Sequence, residues 1–208
     1  MTLEDALAEV PIVAIIRGVR PDEVEAVGEA LFAAGVRVIE VPMNSPEPLD
    51  SIHRLSAWAD RLVCGAGTVL TPEVVDQVAA AGGRIVVAPN TNPAVIRRTV
   101  ERGLSPMPGF GSASEAFTAC DAGARHLKLF PAATYGPGHV RALLEVLPKD
   151  AVVMPVGGVT PVGMAEWWAA GARGFGMGGE LYKPGFTPDE VHARAVAAVT
   201  AVRRLTAG

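Results

Sequence analysis

The sequence has little of several residue types, and each scarcity excludes a class of protein. It has only two cysteines, Cys64 and Cys120, and they lie far apart in apolar stretches, so no disulfide framework is expected. Its four histidines show no paired ligand spacing, so no metal site is expected. Eighteen basic against 22 acidic residues give a net charge of −4, which excludes a broad basic surface for nucleic acid.

Long apolar runs and a secretory signal are also missing. No stretch reaches the roughly 18 apolar residues that a membrane-spanning helix needs. Residues 1–5 lack the basic region and apolar run of a signal peptide. Hydrophobic residues nevertheless make up 50% of the 208 residues, which excludes a disordered chain. We therefore expect a cytoplasmic protein with no membrane or nucleic-acid partner, folded as a single domain over residues 1–208.

Glycine, in contrast, is abundant, with 23 residues, and it recurs at regular intervals. A helix-like stretch, a glycine and an apolar run follow one another at Gly35, Gly82, Gly103, Gly123 and Gly171, and alanine precedes each of these glycines except Gly103. The intervals of 47, 21, 20 and 48 residues fit a unit of about 20–24 residues if each long interval holds two units. One strand, one loop and one helix fill such a unit, with the glycine ending the helix.

Eight apolar segments fit between these glycines and predict eight parallel strands. They are residues 12–16, 36–41, 62–65, 85–88, 104–107, 125–130, 152–156 and 174–177. Eight strand–helix units favour an α/β fold of the (β/α)8 TIM barrel type over an open doubly wound sheet. Residues 3–10, ahead of the first strand, are predicted to form a helix that closes the base of the barrel.

Lys128 is the most informative residue at the C-terminal ends of these strands, where barrel enzymes carry their chemistry. The chain has only three lysines, and Lys149 and Lys183 occupy a turn and a loop where solvent-exposed lysines are ordinary. Lys128 instead lies within an apolar strand, where lost hydration lowers a lysine pKa and leaves a nucleophilic neutral amine. We interpret it as a Schiff-base lysine; a strand-end lysine paired with a carboxylate is the alternative.

Glu40 is the second ionisable residue within an apolar strand. A buried carboxylate has to be paired or functional, and side-chain alternation allows Glu40 to point inward, towards the strand of Lys128. A structural ion pair with Arg17 is the alternative. The two interpretations are compatible, since a nearby cation keeps a carboxylate ionised and able to accept a proton. Arg17, at the end of the first strand, is also suited to bind a substrate carboxylate.

Two Gly-Gly turns, Gly157–Gly158 and Gly178–Gly179, follow the last two predicted strands. Glycines let backbone N–H groups approach an anion closely, and a helix N-terminus after each turn would add a favourable dipole. TIM barrels frequently bind phosphate in the loops after strands seven and eight. The two turns therefore predict a phosphate site; tight turns that use glycine for its conformation alone are the alternative.

Five segments, in order on successive strands, resemble the class I KDPG/KHG aldolase family. They are residues 17–18, 40–46, 65–70, 128–131 and 155–159. The resemblance implies reversible cleavage of a 2-keto-3-deoxy-6-phospho sugar acid to pyruvate and glyceraldehyde 3-phosphate. It also implies that no metal or organic cofactor takes part and that the assembly is a homotrimer.

The resemblance implies residue roles as well. Lys128 would form the Schiff base with the C2 ketone, and Glu40 would move the protons. Arg17 and Thr68 would hold the pyruvyl carboxylate with Pro89 nearby. The remaining assigned residues are Phe130, which would pack against the pyruvyl carbons, and Gly157, Gly158, Gly178 and Gly179, which would bind the phosphate.

Within the family, the sequence resembles the 2-dehydro-3-deoxy-6-phosphogalactonate enzymes more than the gluconate enzymes. The latter typically have a Thr-Leu-Arg-Thr type segment and a hydroxyl residue where this chain has residues 42–45, Pro-Met-Asn-Ser, and Val156. We therefore expect Val156 to help select the C4 configuration. Gly179 departs from relatives that often carry serine, which removes a hydroxyl from the phosphate site.

Three alternatives remain open from the sequence. A gluconate or dual-epimer aldolase would use the same catalytic residues on a different C4 epimer. A phosphate-binding barrel isomerase would explain the Gly-Gly turns but not a buried lysine beside Glu40. A non-catalytic phospho-sugar binder would need neither Lys128 nor Glu40.

Overall fold

The computed structural model describes residues 1–207, in which short parallel strands and helices alternate along the chain. The strands are β1 (Ile12–Ile15), β2 (Val38–Pro42), β3 (Val63–Gly67), β4 (Ile85–Val87), β5 (Ser105–Met107), β6 (Gly109–Phe110), β7 (His126–Leu129), β8 (Val152–Pro155) and β9 (Phe175–Met177). The helices are α1 (Leu3–Glu9), α2 (Val24–Ala33), α3 (Pro48–Ser56), α4 (Pro72–Ala80), α5 (Pro93–Glu101), α6 (Ala113–Asp121), α7 (Ala132–Tyr135), α8 (Pro137–Leu144), α9 (Met164–Ala169) and α10 (Pro188–Thr206). Each of the eight predicted strand segments overlaps an observed strand.

The strands form two hydrogen-bonded sheets. Six pair in the order β5-β4-β3-β2-β1-β9, and three pair in the order β6-β7-β8, all in parallel. One isolated bridge, between Val156 and Gly176, connects the end of β8 to β9. The predicted α/β architecture is therefore confirmed as a curled parallel sheet, but the hydrogen bonds do not join eight strands into one continuous ring.

The predicted fifth strand is divided in two, which corrects the count of eight strands to nine within residues 1–207. Pro108 separates β5 from β6 and has no N–H to donate, so β5 pairs with β4 while β6 pairs with β7. The carbonyl of Pro108 accepts the backbone N–H of Lys128 at 2.9 Å. Gly109 allows a close approach, because an added Cβ would overlap the backbone of Pro89. Gly109, which is also the register partner of Lys128, therefore lies against the backbone of Pro89.

The helix α1 covers the N-terminal end of the curled sheet, as the sequence predicted. It begins with a reciprocal capping box, in which the Thr2 hydroxyl accepts the Asp5 N–H at 3.1 Å. Leu3, Ala6 and Leu7 of this helix are buried in an apolar cluster with inward side chains of the strands, which are Val13, Val38, Val63, Ile85, Val87, Met107 and Met154. The opposite, C-terminal end of the sheet is thus the end at which a functional site is expected.

The remaining helices cover the outer surface of the sheet through a larger apolar core. The alanine-rich α10 packs against α2 and α9, and its buried face is formed by Val191, Ala195, Ala198, Val199 and Val202. Small side chains allow these helices to approach closely. Within residues 1–207, none of the helices is both long enough and apolar enough to cross a membrane.

Candidate active site

Glu40 and Lys128 are the only charged side chains that are buried within residues 1–207, at 1% and 5% exposure. Glu40 lies on β2 between Ile39 and Val41, and Lys128 lies on β7 between Leu127 and Leu129. Burying a charge is unfavourable unless another charge or a hydrogen bond compensates, and each of these side chains lies in the electrostatic field of the other. The structure therefore brings the two ionisable residues of the apolar strands into one site.

Burial shifts the pKa of both groups towards the neutral form. It raises the pKa of Glu40 to about 7, although the charges of Lys128 and Arg17 act in the opposite direction. It lowers the pKa of Lys128, with Arg17 adding to the effect and the carboxylate of Glu40 opposing it. Near neutral pH the site therefore holds a carboxyl group able to exchange a proton and an amine shifted towards its nucleophilic form.

Gly67 on β3 leaves the space that the Glu40 carboxyl group occupies. A Cβ added at Gly67 would overlap Oε2 of Glu40, so alanine cannot be accommodated without moving the carboxyl group. Oε2 is buried and has no hydrogen-bond partner within the described residues. An oxygen in this state is favourably placed to bond a hydroxyl group of a ligand.

Gly67→Ala is expected to lower kcat/KM by about tenfold or more for the aldol cleavage that the sequence resemblance implies, because it displaces the Glu40 carboxyl group. Gly67 has no left-handed backbone conformation, so the substitution adds no backbone strain. Steady-state assays of Gly67→Ala and of Gly138→Ala measure the effect. Gly138 is the matched control, since it lies in α8 with open space around its Cα and alanine there stabilises a helix by about 0.5–1 kcal/mol. Equal activities of the two variants would contradict this role of Gly67.

Arg17 extends from the end of β1 and lies close enough to influence both buried groups. Its guanidinium donates hydrogen bonds to Oδ1 of Asn44 and, at 3.5 Å, to Oγ1 of Thr68. Thr68 adopts a left-handed backbone conformation, with a φ of 58°, at the turn that follows β3. A guanidinium beside a hydroxyl group at the edge of the site can bind a planar carboxylate.

A cavity of about 340 Å³ opens at the C-terminal ends of the strands. Ten of the eleven predicted site residues line it: Arg17, Thr68, Pro89, Lys128, Phe130, Val156, Gly157, Gly158, Gly178 and Gly179. The eleventh, Glu40, is buried next to it. The Phe130 ring lies with its centroid 4.9 Å from Nζ of Lys128, so an apolar surface adjoins the amine. The cavity thus combines a buried amine, a carboxyl group, a cation and backbone donors.

Sequence reasoning missed five lining residues, which are Ile15, Val159, Gly176, Glu180 and Lys183. Lys183 is the important one, because the sequence suggested an ordinary surface lysine. It is exposed, as expected, but it lies on the rim of the cavity. Its position only four residues after Gly179, at the functional end of the sheet, was the available signal.

The expected helix N-termini after the two Gly-Gly turns are wrong. A turn at residues 160–163, in which the Thr160 hydroxyl accepts the Gly163 N–H at 3.2 Å, precedes α9, which begins only at Met164. After Gly178–Gly179, the chain forms a loop before α10 begins at Pro188. Any anion at these turns therefore meets backbone N–H groups but no helix dipole.

The family model described as KDPG and KHG aldolase matches residues 3–202 of this chain. The chain belongs to the KDPG and KHG aldolase family. This confirms the resemblance inferred from the strand-end motifs. The family is one of aldolases, which are lyases that act on carbon–carbon bonds.

Individual relatives cover nearly the whole of this aldolase. The chain is 44% identical over 196 residues to the 2-dehydro-3-deoxy-6-phosphogalactonate aldolase of Escherichia coli (strain K12), covering 94% of this chain and 96% of that protein. It is 45% identical over 194 residues to the "Probable 2-dehydro-3-deoxy-6-phosphogalactonate aldolase" of Rhizobium meliloti (strain 1021), covering 93% and 92%. A solved structure described as "Native KDPGal structure" matches with a TM-score of 0.94 and 43% identity, covering 96% and 98% of the two chains.

Metal ligands are not gathered anywhere in the described part of this aldolase. Residues 1–207 contain no group of three or more His, Cys, Asp or Glu side chains that could hold a metal ion. Cys64 and Cys120 are both free and buried, and burial raises the pKa of both thiols, to about 12 for Cys64. These thiols are therefore poor nucleophiles, and neither of them lines the cavity.

Proposed function

We propose that this aldolase reversibly cleaves 2-dehydro-3-deoxy-6-phospho-D-galactonate to pyruvate and D-glyceraldehyde 3-phosphate through a Schiff base. The observation that carries the proposal is that Lys128 and Glu40, the only buried charged side chains within residues 1–207, lie in each other's electrostatic field, with Lys128 lining the cavity. A surface-binding or purely structural role would not require an amine and a carboxyl group both shifted towards neutrality. The names of the two relatives support the choice of substrate.

The reaction begins with Lys128. Its neutral amine attacks the C2 ketone to give a carbinolamine, and Glu40 donates the proton with which the C2 hydroxyl leaves as water. The resulting protonated imine accepts electrons as the C3–C4 bond breaks, while Glu40 takes the proton of the C4 hydroxyl. Glyceraldehyde 3-phosphate leaves, Glu40 protonates the enamine at C3, and water releases pyruvate from Lys128. A pKa of about 7 suits a group that both gives and accepts protons in this cycle.

The other cavity residues orient the substrate. Arg17 and Thr68, which are already hydrogen-bonded to each other, bind the C1 carboxylate beside Pro89. Phe130 covers the pyruvyl carbons near the Lys128 amine. Gly157, Gly158, Gly178 and Gly179 offer backbone N–H groups to the phosphate. This arrangement fixes the C2 carbon at the amine, which provides the positioning part of catalysis.

Val156 carries the proposed preference for the galactonate epimer. It lines the cavity, and its side chain packs over Gly176, where an added Cβ would lie 2.6 Å from Cγ2 of Val156. A valine offers no hydrogen bond to a C4 hydroxyl that points towards it, so the epimer that directs this hydroxyl elsewhere binds better. The gluconate epimer, or both epimers, is the alternative substrate.

The ratio of kcat/KM for the galactonate and gluconate epimers tests the substrate. We expect a clear preference for the galactonate epimer in the native enzyme. Val156→Thr keeps the shape of the side chain and replaces one methyl group with a hydroxyl group. We expect it to lower the ratio by about tenfold, which is equivalent to about one hydrogen bond. Equal values for the two epimers in the native enzyme would contradict the substrate, whereas an unchanged ratio in the variant would contradict only the role of Val156.

We also propose a closed (β/α)8 barrel that forms a single domain over residues 1–208, of which Gly208 lies outside the described residues, and a cytoplasmic homotrimer. The bridge between Val156 and Gly176 supports closure between β8 and β9, and the packing of α1 supports a closed base. The resemblance to the family supports the trimer. Light scattering during size-exclusion chromatography tests it, with three times the 21.5 kDa of one chain expected and one times that mass contradicting it.

A further inference from the structure

Lys183 lies in the loop between β9 and α10, on the rim of the cavity. We infer that Lys183 is a specificity-determining residue whose ammonium group binds the phosphate group of the substrate. The inference rests on the proposed function, because it assigns the phosphate end of the proposed substrate to one side of the cavity. It distinguishes this residue from Lys149, the other exposed lysine, which does not line this cavity.

The charges around the cavity leave Lys183 as its uncommitted cation. Three cationic side chains line the cavity. Lys128 is buried beside Glu40, and Arg17 donates a hydrogen bond to Thr68. Lys183 forms no salt bridge within residues 1–207. A lysine with no carboxylate partner at the edge of a substrate cavity is available to pair with an anionic ligand.

The position of Lys183 places its charge at the Gly178–Gly179 turn. Its Cε lies 3.2 Å from the point that a Cβ would occupy on Gly179, so the lysine stem lies over this glycine. A larger residue at position 179 would push the stem away. The same side chain therefore meets any anion that the backbone N–H groups of the turn bind.

The backbone alone is a weak site for a phosphate. The N–H groups of the four cavity glycines, which are Gly157, Gly158, Gly178 and Gly179, donate to no backbone carbonyl of the described residues and are free to bind an anion. These donors carry no net charge, whereas a phosphate monoester carries about −1.5 to −2 at neutral pH. No helix begins directly after either turn, and Glu180 adds a negative charge to the same rim. An ammonium group would balance the negative charge of a phosphate bound in this part of the cavity.

The residue before Lys183 anchors the loop to the body of the protein. Tyr182 is buried, its N–H donates to the carbonyl of Gly178 at 3.0 Å, and its hydroxyl donates to Oε1 of Glu23 at 2.7 Å. Glu23 precedes α2, so this hydrogen bond joins segments that are 159 residues apart in the chain. The backbone at position 183 is thereby held against the β1–α2 region.

The residue after Lys183 is anchored as well. Pro184 packs on Gly18, where a Cβ would lie 2.7 Å from Cγ of the proline. Gly18 has a φ of 86°, and its N–H donates to Oγ of Ser45 at 2.9 Å, which ties the loops after β1 and β2 together. With both neighbours fixed, only the side chain of Lys183 has to be ordered when an anion binds, which keeps the entropic penalty of binding small.

Lys183→Met, which keeps the length of the stem and removes the charge, tests the inference. We expect KM for the 6-phosphorylated keto acid to rise by about tenfold or more, with kcat changed by less than about threefold. The kcat/KM for the same keto acid without phosphate is expected to stay the same. Lys149→Met is the matched control and should leave both substrates unaffected. A KM for the phosphorylated substrate within twofold of the native value, or an equal loss for both substrates, would overturn the inference.

Binding of glycerol 3-phosphate and of inorganic phosphate, measured by calorimetry, separates this inference from the proposed function, since it needs no catalysis. We expect the Kd of both to rise by about tenfold in Lys183→Met and to remain unchanged in Lys149→Met. If the native enzyme binds these anions through Lys183 but cleaves no keto acid, the proposed function fails and the phosphate site stands. If cleavage occurs and Lys183→Met binds the anions as the native enzyme does, the inference fails alone.

Discussion

Lys128→Met is expected to lower kcat for aldol cleavage by about four orders of magnitude or more. Lys128 is the only buried amine within residues 1–207, so the variant has no group in the cavity interior that can form the imine. Without the imine, the electrons of the breaking C3–C4 bond have no acceptor. Pyruvate release, followed with a coupled dehydrogenase assay, measures the loss.

Stability measurements separate this catalytic effect from a folding defect. Replacing a buried amine with an apolar side chain of similar length removes its desolvation penalty, and loss of the Lys128 charge favours the protonated form of Glu40. Below about pH 7, where Glu40 then carries no charge that needs a partner, we expect the Tm of Lys128→Met to equal or exceed that of the native enzyme. Lys149→Met, at an exposed turn, serves as the matched control for loss of one lysine charge. Retention of more than about one hundredth of the native kcat by Lys128→Met would contradict covalent catalysis by this residue.

Glu40→Gln is expected to lower kcat by about two to four orders of magnitude, because an amide of the same shape cannot give and accept protons. The pKa of about 7 for Glu40 also predicts a pH profile. In the native enzyme, kcat/KM should fall as the pH rises through about 7, because the protonated Glu40 that donates to the leaving C2 hydroxyl is lost. The residual activity of Glu40→Gln should lack this fall. A profile with the same inflection in both proteins would show that another group titrates there.

The same substitution has a predicted effect on the free energy of unfolding. The pKa of Glu40 is raised from 4.5 in its unperturbed state to about 7, so the folded state binds this proton more tightly than the unfolded state. Its contribution to stability is therefore fully present below about pH 4.5 and is lost as the pH rises through about 7. Glutamine does not titrate, so Glu40→Gln should gain stability relative to the native enzyme across this window, by about 3 kcal/mol at most. Denaturant unfolding at the two ends of the window measures the difference.

The buried pair of charged residues was predictable from the sequence because it breaks a strong local pattern. Glu40 and Lys128 are single charges within otherwise apolar strands, and such charges are rare without a function. The closing helix α1 was predictable for a similar reason, since its capping residues and apolar face are local features. Both features can be recognised in a short stretch of sequence, without knowing which distant residues pack against it.

The parts that could not be predicted depend on distant contacts. The position of Lys183 is set by the hydrogen bond from Tyr182 to Glu23 and by the packing of Pro184 on Gly18. Both contacts join residues that are far apart in the chain, so no local sequence pattern predicts them. The two-residue strand β6 is too short for any periodicity, and its separation from β5 is a consequence of Pro108. Sequence patterns therefore identified the two charged residues that the structure buries side by side, whereas the three-dimensional structure was needed to find the cation at the rim.

Borohydride reduction in the presence of pyruvate, followed by peptide mass spectrometry, tests most directly whether Lys128 forms the Schiff base. Arginines separate the three lysines of the chain into different tryptic peptides, so the modified residue can be assigned. We expect a stable reduced pyruvyl adduct on Lys128, loss of activity in step with its formation, and no adduct in Lys128→Met. An adduct on Lys149 or Lys183 instead, or no adduct on any lysine, would contradict the account.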